Sequence, residues 1–473
     1  MNVDRNDVEP IEQAQSLGLQ ALDILRSEEE PWLLDVFEAP SEFDLICGPR
    51  SAIVFGEPGS GKTAICRVLT ALSETPEGKR NRLLVEWRPQ PPKATTTVDS
   101  ALVEEQLREI LDACAFQLLT YLAQHPALFY ASLEWVQDSL VWFIRTYTRG
   151  DLKIRTGPLY REVGEKGHSL LSELLARPVH IVLEGDVGPE YVIRELLKAL
   201  EELNLNSVWI LVDNLDVWSE AAPEPLSQGL TAFLSALALF EQSGFAYKIF
   251  LPSTLERYLA GVSGITRRRI SIHNLHWTTV KLTQLLLRRL HLATGVELTT
   301  LTQICTDPEL IVWLERCGGN TPAGWLEYAR PLVAAYLDRQ RNGHTDPINE
   351  AEWLEIRRRN PPKLSLDRTT QRVRVGERIS KELTEQQFAL FEYLYKNAGE
   401  TCTRSQLHYL ADLKLPSEPR PGDDLYEAPK DYSGQLETAI WRLRDAIEPA
   451  PQHPFFIITV KGKGYRLENA FKP

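Results

Sequence analysis

Three glycines, a lysine and a threonine stand at the spacing that suits capture of a phosphate chain. Gly56-Glu57-Pro58-Gly59-Ser60-Gly61-Lys62-Thr63 fits G-x-x-x-x-G-K-[ST]. Gly56, Gly59 and Gly61 admit backbone angles and close approaches that a Cβ blocks. Successive N–H groups then point inward and cradle phosphate oxygens. Lys62 reaches the β- and γ-phosphates and Thr63 ligates Mg²⁺. The helix opening at Thr63-Ala64-Ile65 adds partial positive charge at its start. An ordinary glycine-rich turn is the plainer alternative. The full motif between an apolar strand, Ala52 to Phe55, and a helix outweighs it.

A second constellation is Val208-Trp209-Ile210-Leu211-Val212-Asp213-Asn214-Leu215-Asp216. A run of apolar β-formers ending in an acid reads as a buried parallel strand with Asp213 at its carboxyl end, expected beside the phosphate loop. There Asp213 holds Mg²⁺ through water, and Asp216, one step further out, orients an attacking water. The alternative is a buried strand followed by two solvated loop acids.

The elements that must position these residues follow from periodicity. Apolar spacing predicts a helix over Ile11–Arg26, stopped by Pro31. Arg82–Trp87 and Ala246–Leu251 read as further strands, and Ile270–Ile272 as a short one. Between the two acidic and glycine-rich motifs lies a helical insertion, about residues 98–205, with Trp135, Trp142 and Phe143 expected in its core. A helical region, 276–345, contains Gly318-Gly319-Asn320-Thr321-Pro322, in which Thr321 suits an N-cap with Pro322 at the first helical position. The run Arg357-Arg358-Arg359-Asn360-Pro361-Pro362 marks a linker over 346–362. Residues 1–51 form an N-terminal helix and linker, 52–275 the α/β core, and 363–473 a last domain.

At 473 residues the chain has room for two or three cores. The longest apolar run, Leu230–Phe240, is too short to span a bilayer, so no membrane is expected as partner. The first residues are acidic and polar, so no secretory signal is expected. Six cysteines lie far apart with no C-x-x-C pair. That excludes a zinc or disulfide framework and points to a reducing cytoplasm. The net charge of −13 is uneven: from Pro361 onward 17 basic residues face 16 acidic ones, leaving 35 against 49 before it. An acidic body does not bind nucleic acid through its bulk field, so any such contact is local.

Taken together, GEPGSGKT, VWILVDNLD, the strand before Ser253, the triplet Arg267-Arg268-Arg269 and GGNTP resemble the AAA+/STAND class of P-loop ATPases over roughly Pro31 to Leu337. The resemblance implies a P-loop NTPase core of parallel sheet with a helical lid, an ATP/ADP site built on Gly56 to Ala64, and Mg²⁺ at Thr63 and Asp213. It implies that Ser253 or Thr254 senses the γ-phosphate, where helix capping is the alternative. It gives Arg268 the place of an arginine finger, where a solvated basic turn is the alternative. Pro322 would touch base or ribose. Such proteins are switches in which ADP holds a closed state and ATP drives opening and self-association. One departure is Asn214, where AAA+ enzymes usually carry Glu. Asn takes no proton from water, so hydrolysis is expected to be slow or to depend on Asp216.

Beyond Pro361 two small strands, a helix capped by Thr384, a short helix capped by Thr403, a third helix through Leu436, Ile440, Leu443 and Ile447, and a hairpin around Lys461-Gly462-Lys463-Gly464 are expected. Leu383-Thr384-x-x-Gln387-Phe388, Ile440-Trp441-Arg442-Leu443-Arg444 and Ile458–Leu467 resemble the α+β winged helix of OmpR-type transcription regulators. By that resemblance Arg442 and Arg444 face double-stranded DNA, and Lys461, Lys463 and Arg466 contact phosphates. Two departures are Asp445 and Ala446 at places usually basic, and a Pro- and acid-rich insertion, Ala411–Asp431. A charge of +1 gives a weak electrostatic contribution to DNA affinity, so docking of a protein partner stays open beside DNA binding.

Overall fold

The computed structural model describes residues 17–23, 31–74, 82–89, 100–177, 188–215, 223–262, 265, 267–368 and 370–469. The chain divides into two compact units, one of Ser27–His276 and one of Met1–Arg26 with Trp277–Pro473.

In the first unit, runs of β-branched, aromatic and aliphatic residues form five strands: β1 Ala52–Gly56, β2 Arg82–Glu86, β3 Ser207–Val212, β4 Phe245–Pro252 and β5 Ser271–Asn274. All pair in parallel, in the order β2-β3-β4-β1-β5. β1 and β4 are buried along their whole length, as a parallel sheet covered on both faces requires. Alternation sends Val54, Trp209, Leu211 and Phe250 to one face, against Ile65, Cys66 and Leu69 of α1, Lys62–Glu74. Ile53, Phe55, Ile210, Val212 and Ile249 go to the other. That face is covered by α2 Ser100–Gln124, α5 Pro189–Glu202 and α6 Pro223–Ser235, and α3 Glu134–Tyr147 and α4 Glu165–Ala176 pack onto α2 in the same apolar core.

Phe143 is buried in this helical layer and Trp142 packs partly against it. Trp135, expected with them, is 47 % exposed. It begins α3 on the Ser139 side, off the buried stripe of Val136, Leu140, Phe143 and Ile144. β4 also carries a charge into the core. Lys248 is fully buried, and its Nζ donates to the carbonyl oxygens of Gly48 and Arg50 at 2.7 and 2.5 Å and lies 4.5 Å from the Trp209 ring centroid. Burial lowers its pKa to about 7.

In the second unit, α7 Thr279–Thr294, α8 Leu310–Gly318, α9 Pro322–Arg341 and α10 Glu350–Arg359 precede two antiparallel three-stranded sheets. β6 Leu364–Asp367, β7 Arg372–Val375 and β8 Arg378–Ile379 form the first. After α11, Glu385–Lys396, come β9 Thr401–Thr403, a turn and π-helix over residues 404–412, α12 Pro429–Ile447, and the hairpin β10 Ile457–Val460 and β11 Gly464–Leu467. β11 pairs with both β10 and β9. One apolar core runs from Leu282 and Trp313 through Val373, Leu390 and Leu443 to Leu467.

Local signals at the helix starts operate as read. Thr384 with Gln387, and Thr403 with Gln406, form reciprocal capping boxes, and Thr321 accepts from Gly324 N with Pro322 next in line. Gly318 and Gly324 let α8 and α9 meet: a Cβ on Gly324 would stand 2.0 Å from Gly318 O. The helix expected over Ile11–Arg26 is, within the described residues, only a 3₁₀ turn, Gly18–Leu22, left by extended backbone at Asp23. Residues 346–362, expected as a linker, contain α10. Its Trp353 and Arg357 lie four residues apart on one face, and Arg357 pairs with Asp307 at 3.2 Å with both side chains 2 % exposed. Trp313 and Trp353 flank the guanidinium at 5.3 and 5.6 Å.

Candidate nucleotide site and C-terminal interface

β1 ends at Gly56, and the loop to α1 turns through two left-handed glycines, Gly59 at φ +74° and Gly61 at φ +88°. Ser60 N–H donates to Glu57 O at 3.1 Å and Ile65 N–H to Gly61 O at 3.0 Å, which closes the loop onto the helix. Lys62 folds back over it. Its side chain is almost buried, at 5 % residue exposure, and Nζ donates to Gly56 O at 3.0 Å and Glu57 O at 3.1 Å. Glu57, Pro58 and Gly59 are exposed, Ser60 is buried, and Thr63 and Ala64 are half-buried in the first turn. The ammonium therefore sits at the mouth of a helix N-terminus, where phosphate charge is favoured.

Asp213 follows β3 immediately. β4 lies between β3 and β1, and Val212 and Ile53 both register with Ile249. The acid is one strand removed. Alternation nonetheless puts it on the same face as Trp209 and Leu211, the face that α1 covers. The Cys66 thiol reports the consequence: burial pushes its pKa up most, and the carboxylates of Asp213 and Glu86 add to the rise. Asn214 has left-handed backbone, φ +64°, and is exposed. Asp216 lies outside the described residues.

Ser253 follows β4, whose last residue, Pro252, registers with Gly56. Its hydroxyl makes no helix cap. Oγ donates instead to Glu57 Oε1 at 2.7 Å, a contact that spacing alone does not reveal. Arg267, Arg268 and Arg269 are exposed before β5; Arg268 has φ +54° and Arg269 pairs with Glu241 at 3.0 Å. Pro322 is buried at the start of α9, in the other unit.

At the C-terminal end α12 and the hairpin are joined by Arg444. Expected to face DNA, it is half-buried and engaged with the hairpin. Nε donates to Ile457 O at 2.9 Å, Nη2 to Thr459 Oγ1 at 2.8 Å, and the guanidinium lies 5.7 Å from the Tyr465 ring centroid. Burial lowers its pKa. Arg466 is half-buried and paired with Glu468. Arg442 is exposed, as are Lys461 and Lys463 flanking Gly462 at the hairpin tip. Trp441 is 64 % exposed on α12, with Glu437 and Asp445 one turn to either side. Arg404 is bound to Glu437 at 2.9 Å.

Sequence reasoning missed Glu448. This fully buried carboxylate accepts N–H bonds from Phe455, Phe456 and Ile457 at 2.7, 3.0 and 2.7 Å, and so ties the end of α12 to the start of the hairpin. Nothing in the order Ile447-Glu448-Pro449 distinguishes it from a solvated helix end. Lys248 did carry a signal, a lone charge inside an apolar strand.

Among the described residues no helix is long and apolar enough to cross a membrane. No known protein family profile matches the chain. Against solved structures it is similar to the Aeropyrum pernix ORC2 protein in ADPNP–ADP complexes, 12 % identical with a TM-score of 0.33, covering 96 % of this chain and 94 % of that one. It is also similar to CDC6P from Pyrobaculum aerophilum, 13 % identical with a TM-score of 0.30, covering 94 % and 91 %. Among curated proteins it is 32 % identical over 143 residues to the sensory transduction protein RegX3 of Mycobacterium bovis, 30 % of this chain and 54 % of that protein. RegX3 of Mycolicibacterium smegmatis is 32 % identical over 142 residues, 29 % of this chain and 50 % of the relative. The chain spans about half the length of these curated relatives.

Proposed function

We propose that this chain is an ATP-binding molecular switch with slow hydrolysis, whose nucleotide state governs DNA binding by a C-terminal winged helix, as in a STAND-type regulator or defence protein. The observation that carries it is the Lys62 ammonium held at the mouth of a glycine loop that opens a helix. Partial identity to a sensory transduction protein supports a regulatory role for the whole.

Thr63 and Asp213 would hold Mg²⁺. They offer oxygen donors of the hard class this ion takes. Their pairing is supported by the influence of the Asp213 carboxylate on the Cys66 thiol, three residues past Thr63 on α1. The ion would supply charge neutralisation along the phosphates. The protein's own part is to move Lys62 from its carbonyl partners onto phosphate oxygens. Asn214 cannot accept a proton, so turnover stays slow.

Lys62→Ala should lower affinity for ATP and ADP at least about 100-fold, the scale of losing a charged hydrogen-bonding partner. Parental affinity in the folded variant would refute the site. A gel shift on random duplex at low salt, with ADP and with a non-hydrolysable ATP analogue, tests the output. A nucleotide-dependent shift, weakened in Lys461→Ala and Lys463→Ala, is expected.

A second reading is an ATP-gated scaffold whose winged helix docks a protein. It is favoured by the internal engagement of Arg444 and Arg466 and by the exposed Trp441 between two carboxylates. Absence of any shift at low salt selects it.

A further inference from the structure

Ser253 and Glu57 come from separate motifs, 196 residues apart, and meet in one hydrogen bond of 2.7 Å. The meeting is built by the sheet: Gly56 and Pro252 are partners across β1 and β4, so the residue after each strand emerges at the same edge. The Glu57 backbone carbonyl receives Lys62 Nζ, while its side chain turns to Ser253.

We propose that Glu57 is a specificity residue that biases this site toward a nucleoside diphosphate over a triphosphate. The inference rests on reading the loop as a nucleotide site. A hydroxyl has one hydrogen to donate, so Ser253 serves either the carboxylate or a phosphate oxygen. A terminal phosphate at this strand end must take that hydrogen from Glu57. It must also approach a carboxylate of like charge, which is unfavourable at short range. A diphosphate ends one phosphoryl group earlier and leaves the bond intact. The resting state is therefore held by the Glu57–Ser253 bond, and only the triphosphate has to break it.

Affinities of the full chain for ADP and for a non-hydrolysable ATP analogue, both with Mg²⁺, test this in the parent, Glu57→Gln, Ser253→Ala and the double variant. Glu57→Gln removes the charge from an exposed side chain and keeps its shape. It should tighten the triphosphate on the order of tenfold, both by removing a like charge a few ångströms away and by weakening the acceptor that holds the Ser253 hydrogen. ADP should change less than about twofold. In the Ser253→Ala background the same substitution should have a clearly smaller effect, because the two side chains act together. An unchanged ratio of the two affinities in Glu57→Gln overturns the proposal. An equal effect with and without the Ser253 hydroxyl overturns the Glu57–Ser253 bond as the route of the bias and leaves it to the Glu57 charge alone. A folded parent that binds neither nucleotide removes the reading of the site, and this inference with it; that outcome is visible before any variant is made.

Discussion

Arg442 and Arg444 are two residues apart on α12, so about 200° of helix rotation separates their side chains. Arg442 stands in solvent; Arg444 ties α12 to Ile457 and Thr459 of the hairpin. Arg444→Ala should destabilise the C-terminal unit by about 1–3 kcal/mol, because it leaves Ile457 O short of its donor. Arg442→Ala should stay within about 0.5 kcal/mol while weakening any DNA complex. Urea unfolding of both variants checks this, and equal losses would contradict the assignment. The exposed arginine was readable from helical period. The role of the half-buried one was not, because a guanidinium at that position suits both a phosphate and a neighbouring strand's carbonyl.

Hairpin and α12 are also joined by Glu448, which caps α12 four residues after Arg444 and binds the amide of the same Ile457. Desolvation raises its pKa to about 7, against the opposing pull of three N–H donors and of Arg444. A raised carboxyl pKa means that the folded unit binds the proton more tightly than the unfolded chain does. Its contribution is complete below the ordinary glutamate range, near 4.5, and is lost as pH rises through about 7. The stability difference between parent and Glu448→Gln should therefore change by about 1–3 kcal/mol between pH 4.5 and 7.5, with the parent losing ground as pH rises. Denaturant midpoints of the pair across that window measure it, and a constant difference would show that the carboxyl does not titrate there. Other elements were plain in the chain: Thr384 and Thr403 announce their helices through capping boxes. α10 was hidden because Arg357 reads as part of a solvated run until Asp307, Trp313 and Trp353 enclose it.

For the whole molecule, the proposed switch predicts a nucleotide-dependent state of assembly. Mass measurement in solution should show a larger species with a non-hydrolysable ATP analogue than with ADP, and Lys62→Ala should abolish the difference. Identical masses for the parent in both nucleotides would remove self-association from the proposal. Much of the architecture is local in origin. The glycine loop, the β-rich runs and the caps each depend on neighbours within a few residues, so Gly56–Thr63, five strands and the helix starts can be read directly. Pairing is another matter. β4 stands between β1 and β3, Ser253 meets Glu57, Lys248 reaches Gly48 and Arg50, and Glu448 gathers three amides, each across a sheet or a turn. Such contacts depend on which strand lies beside which and how deeply a charge is buried. A lone charge inside an apolar strand, as at Lys248, hints at burial, but side-chain identity and spacing do not name the partners until the chain has closed on itself.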